Sequence, residues 1–80
     1  MSAEIEGALA RSVGAAVREA RARRGMSLAQ AAAASSLTPA GLSNLERGRS
    51  NPTLSTLSKI CDVLGLEVSL LPRDAAQQDR

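Results

Sequence analysis

The sequence predicts an all-α fold, four helices between Ala8 and Gly65, followed by a short strand at 66–71. Three observations carry that expectation. Ser27, Thr38 and Thr53 each stand just before a helix-like run, where a helix takes its N-cap. Gly25, Gly48 and Gly65 stand where those runs stop, the place at which a chain often needs positive φ. After Gly65 the apolar residues change from helical spacing to alternation.

The first seven residues, MSAEIEG, read as an acidic, frayed lead-in. The first helix is expected from Ala8 to Arg24, with Leu9, Val13, Ala16, Val17 and Ala20 on its apolar stripe. Arg11 and Arg18 fall on the opposite face, and Arg23 and Arg24 sit in the last turn, where the helix dipole favours cations. A second helix follows from Leu28 to Ser35. Ser27 and Gln30 form a capping box at its start, and Ala29 to Ala34 supply the strongest helix former. The third helix runs from Pro39 to Arg47. Thr38 caps it, Pro39 occupies the first turn where no N–H is needed, and Leu37 and Leu42 are spaced as a hydrophobic staple. The fourth is capped by Thr53 and carries Leu54, Leu57, Ile60, Cys61 and Leu64 on one stripe. In 66–71, Leu66, Val68 and Leu70 alternate with polar residues as in a strand. A lone strand needs a partner. Either a second copy supplies it across a two-fold axis, making Leu66, Val68 and Leu70 dimerisation residues, or the segment lies as an extended tail on its own helices. Residues 66–72 are thus set apart from a helical domain at 8–65, and the polar stretch 73–80 is expected to be disordered.

Eighty residues make one domain. With no Phe, Tyr or Trp, the core must be built from Leu, Val, Ile, Ala and Met, and stability should be modest unless a second subunit adds buried area. No apolar run approaches the roughly 18 residues of a membrane span, and no signal peptide is visible. The single Cys61 excludes an internal disulfide and fits a reducing, cytoplasmic setting; it reads as a small buried hydrophobe. Without His there is no plausible zinc site, and nothing calls for a cofactor. An enzyme is not expected either. There is no nucleophile beside a base, no pair of carboxylates on one face and no Gly-rich phosphate loop.

Charge is distributed unevenly. Residues 11–49 carry seven Arg against Glu19 and Glu46, a local +5, while the remainder of the chain carries −3. A basic middle with acidic flanks suits a polyanion such as DNA, although a solvated Arg-rich helix gives the same count.

Two short helices joined by a tight turn make a helix-turn-helix. From Val13 to Leu66 the chain resembles the phage repressor/Cro-like (XRE) helix-turn-helix family, through RARRGMSLAQAA, LTPAGLSNLERGRSNPTL and DVLGL. The ERG-x-x-x-P run after the Leu42/Leu45 pair is its most specific part. The resemblance implies a four-helix, repressor-like DNA-binding domain. Leu28 stands where the family often has Gln, Ser36 where it usually has Gly, and the strand pattern where many members have a fifth helix.

With Leu42 and Leu45 turned inward, Thr38, Pro39, Ala40, Ser43, Asn44 and Arg47 are left on the outer face of the third helix. These positions match those from which family members reach bases, so Thr38, Pro39, Ala40, Ser43 and Asn44 are the expected base-reading residues. Asn44 leads, because a carboxamide can bond N6 and N7 of adenine together. A merely solvated face would more usually carry Lys and Glu. Ser27 and the backbone of Leu28 at the start of the second helix, with Arg47, Arg49 and Asn51 in the following turn, are expected on phosphates. The resemblance also pairs Arg21 with Glu46. Independently, Glu46 sits in the last turn of its helix, where an anion needs compensation.

One such module touches few base pairs. The resemblance therefore implies a cytoplasmic, nucleoid-associated homodimer on a palindromic operator, acting as a repressor by occupancy. The alternative is an antitoxin that masks a toxin protein and controls its own operon, as in short members of the family that end in a strand.

Overall fold

The computed structural model describes residues 3–72, with side chains from Gly7 onward. Four helices follow one another: α1 (Ala3–Arg23), α2 (Leu28–Ala34), α3 (Pro39–Glu46) and α4 (Leu54–Leu64). Each of the last three opens on a hydroxyl cap. Ser27 Oγ accepts from the Gln30 N–H at 3.0 Å while Gln30 Oε1 accepts from the Ser27 N–H at 2.8 Å. Thr38 Oγ1 accepts from the Gly41 N–H, and Thr53 Oγ1 from the Thr56 N–H.

All four helices end in one way. The chain turns through a left-handed residue, and the N–H after it returns to a carbonyl one turn back: Met26 to Arg21, Leu37 to Ala32, Arg49 to Asn44 and Leu66 to Cys61. Three of the four left-handed residues are glycines. The fourth is Ser36, at φ +60°. The turn between α2 and α3 keeps the geometry that glycine usually supplies, with a side chain in place.

The core is small and aliphatic. Val17 and Ala20 from α1, Ala31 and Ala32 from α2, Leu42 and Leu45 from α3, and Ile60 and Leu64 from α4 form one buried cluster, with Val13, Met26, Leu28, Leu37, Val63 and Leu66 packed around it. α3 lies against both α1 and α2, and α4 closes the other side of that pair. Gly14 sets the approach of α1 to α3. A Cβ there would stand 2.6 Å from the Glu46 carbonyl oxygen and would also strike that of Leu45, so only a bare backbone fits. Cys61 is buried beside this core, and its thiol is pushed up, first by burial and then by the neighbouring Asp62 charge.

Four expectations need correction. Helix α1 begins at Ala3 rather than Ala8, taking up most of the supposed lead-in; Ala and Glu are strong helix formers, and acidic residues suit the positive end of a helix. Its buried face is turned toward Gly14, leaving Leu9 and Ala16 exposed. On α4, Leu54 is exposed and Leu57 half-buried, since no described element reaches the first turn from that side. Finally, there is no strand among the described residues. Segment 66–72 forms no regular element and is unpaired, because one chain offers it no neighbouring backbone to bond. Leu66 packs on the chain's own core, whereas Val68 and Leu70 are exposed. Residues 73–80, expected to be disordered, lie outside the described residues.

Candidate nucleic-acid interface

The caps of α3 place a row of small side chains outward. Thr38, Pro39, Ala40 and Asn44 are exposed and Ser43 is half-buried, while Leu42 and Leu45 on the opposite side are almost wholly buried. The Thr38 hydroxyl accepts from Gly41 within its own helix, which leaves its proton to donate elsewhere. Asn44 presents an exposed carboxamide one turn further along. The main-chain carbonyl of Asn44 accepts from the Arg49 N–H at 2.9 Å, and that of Leu45 from the Gly48 N–H at 3.0 Å. This closes α3 and brings Arg47 and Arg49 out on either side of Gly48, both exposed. Asn51 is exposed two residues beyond Arg49.

At the start of α2, the capping box uses the Ser27 N–H and has the Ser27 hydroxyl oxygen accept, which leaves the hydroxyl proton to donate elsewhere. Leu28 points its side chain into the edge of the core, so only its backbone N–H, in the unpaired first turn, is offered to a ligand. The anion-accepting character of this end rests on the main chain together with the Ser27 hydroxyl proton.

Behind the row, Arg21 holds α1 to the C-terminal end of α3. Its Nε donates to Glu46 Oε2 at 2.7 Å and its Nη2 to Oε1 at 3.0 Å, while Nη1 reaches Met26 O at 3.0 Å. Both side chains are largely buried, and the carboxylate holds the guanidinium pKa above its ordinary value. Glu46 is therefore compensated where the helix dipole opposes it, and its two oxygens are both committed.

Two arginines do something that sequence reasoning did not identify. Arg24 Nε donates to Leu64 O at 3.0 Å, satisfying a last-turn carbonyl of α4 rather than of its own helix. Arg11 lies across Gly48: a Cβ on that glycine would stand 2.7 Å from Arg11 Cγ and 2.9 Å from its Cα. A lone arginine on a helix face carries no signal for either contact. Arg23, by contrast, pairs with Glu19 at 3.3 Å on an exposed surface. None of the described helices is long and apolar enough to cross a membrane.

The profile of the Helix-turn-helix family matches residues 17–71. DdrOP3, an HTH-type transcriptional regulator of Deinococcus deserti, is 42% identical over 52 residues, which is 65% of this chain and 40% of that protein. An uncharacterised HTH-type transcriptional regulator of Mycobacterium bovis is 49% identical over 55 residues, 69% of this chain and 22% of the relative. The chain thus spans less than half the length of these curated relatives. Among solved structures, the clp gene regulator ClgR of Corynebacterium glutamicum superposes with a TM-score of 0.72 at 42% identity, covering 75% of this chain and 77% of that one. With the profile lying across α2, α3 and α4, and relatives of this identity, the chain belongs to the XRE-type helix-turn-helix family.

Proposed function

We propose that the domain is a sequence-specific, DNA-binding regulator of transcription, non-enzymatic, acting as a homodimeric repressor with α3 in the major groove of a palindromic operator. One observation carries the reading. The outer side of α3 is a row of small, mostly uncharged side chains, Thr38, Pro39, Ala40, Ser43 and Asn44, that ends in the exposed Arg47 and Arg49. Such a surface fits closely against base edges, while cations at its end meet the backbone. The family relatives and ClgR, named as regulators, support the same reading.

In this assignment Asn44 reads an adenine, Thr38 and Ser43 add less selective hydrogen bonds, and Pro39 and Ala40 pack on thymine methyl groups. Arg47, Arg49 and Asn51 hold phosphates on one side, and Ser27 with the main chain of Leu28 on the other. Two copies present their α3 helices about 34 Å apart, one turn of the duplex. Val68 and Leu70, exposed after Leu66, face the second copy. Val68→Pro should then leave the helices intact by circular dichroism and yield monomers in sedimentation.

Selection from a random duplex pool at a fixed salt concentration tests the reading. A single palindromic consensus is expected, and Asn44→Ala should relax it at one position per half-site, at about 1–3 kcal/mol. Equal binding to scrambled duplexes would remove the proposal.

A second reading has one observation in its favour. Val68, Leu70 and Leu71 are 60%, 91% and 78% exposed, an apolar tail that a different protein would also cover. The domain would then be an antitoxin that binds a toxin protein through this segment and uses α3 on its own operon. A toxin that co-purifies with the chain, and is lost with Leu70→Asp, distinguishes the two.

A further inference from the structure

The N-terminal half of α1 lies outside the part of the chain that the family profile matches, which starts at Val17. It is nevertheless built into the end of the reading head. Arg11 rests on Gly48 through its Cα and Cγ, and Gly48 stands at φ +73° with no side chain to interfere. That glycine is flanked by Arg47 and Arg49, so three exposed arginines, one from α1 and two from the turn after α3, surround a single residue. The Arg11 guanidinium runs back along α1: its Nη1 stands 3.2 Å from where a Cβ on Gly7 would be. Gly7 shares an open concavity with Ser50 and Asn51 of the same turn. None of the described ion pairs involves Arg11.

We propose that Arg11 is an additional DNA-backbone contact, through which α1 grips one phosphate next to that held by the Arg47–Asn51 turn. The inference rests on the assignment of α3 to the major groove. Packing alone does not account for the residue, because the contact with Gly48 uses only the aliphatic stem and leaves the guanidinium exposed. A cation fixed by its stem against a rigid turn loses little freedom on meeting a phosphate. Arg47 and Arg49 flank the same glycine in sequence, so a phosphate held there would meet more than one cation.

The experiment is a salt titration of binding to the selected duplex, with the full chain and three variants, from 50 to 200 mM KCl. Arg11→Gln keeps the stem on Gly48. It should lower the slope of log K against log salt by about 0.9 per copy, so that affinity falls about threefold less per copy across that range. The loss should be alike for the selected site and for a scrambled one. Arg11→Lys should keep the wild-type slope. Arg23→Gln removes the same charge from a residue paired with Glu19 and should leave the slope unchanged. Phosphate-ethylation interference gives a second measurement that survives any change in affinity: one protected position per half-site should disappear with Arg11→Gln. Wild-type slope and full protection in that variant would overturn the inference while the α3 reading stands. If wild-type protein has no preference for the selected duplex, the α3 reading fails first and takes this contact with it.

Discussion

Replacing Ser36 with glycine should make the domain more stable. Ser36 occupies the left-handed position after α2, at φ +60°, where its N–H bonds Ala33 O at 3.2 Å and the next N–H, of Leu37, bonds Ala32 O at 2.8 Å. A side chain in that conformation costs roughly 1–2 kcal/mol, because Cβ crowds the following carbonyl. Glycine removes the clash but has more freedom to lose on folding, which takes back about 0.4–1 kcal/mol. Ser36 is exposed, so no packing is forfeited with its hydroxymethyl group. The net gain is about 0.5–1 kcal/mol. In a domain of this size that is a rise in melting temperature of about 2–8 °C. Thermal melts followed by circular dichroism, with urea midpoints at an unchanged m-value, measure it. A midpoint equal to or below wild type would mean that the turn is not strained at Ser36, and the reasoning about its conformation would be refuted.

Other consequences can be checked in the same way. Glu46→Gln leaves Arg21 with a neutral partner in a mostly buried site and should cost about 2–3 kcal/mol in urea unfolding. The double change Arg21→Met with Glu46→Leu should recover most of that loss, and a double variant weaker than the single would contradict the account. Gly14→Ala should destabilise by about 1–3 kcal/mol despite the better helix propensity of alanine, since its Cβ meets the main chain of α3; a gain in stability would show that the helices can part cheaply. The folded domain holds the Cys61 proton more tightly than the unfolded chain does, so its contribution is complete below the ordinary thiol range and declines as pH rises through and above about 8.5. Wild type should therefore lose more of its urea midpoint between pH 7 and 9.5 than Cys61→Ala does. Equal losses would mean that the fold does not raise the thiol pKa.

Much of this architecture is legible in the residues because it is local. Caps at Ser27, Thr38 and Thr53 and stops at Gly25, Gly48 and Gly65 are decided within one turn of chain, and α2, α3 and α4 begin where those residues place them. The outward row on α3 follows from the Leu42/Leu45 spacing alone. What is not legible is how closely two helices approach, or which end of an apolar stripe is covered. Leu9 and Leu54 have the right spacing for burial and lie beyond the reach of the core. Gly14 looks like a weak point in a helix until the carbonyls of α3 are seen against it. The strand pattern of 66–71 specifies a face for each side chain but cannot supply the second backbone that a strand requires.

The bond from Arg24 to Leu64 O reaches across forty positions of chain to tie the finish of the first helix to the finish of the last. The polypeptide consequently departs from the helical body at an anchored place, in a heading governed by residues near its beginning. Anything docked on the departing segment, whether another copy or a different protein, inherits a defined pose toward α2 and α3. Loosening that bond, as in Arg24→Ala, would in the proposed dimer alter the spacing between the two α3 helices without touching a residue in either of them.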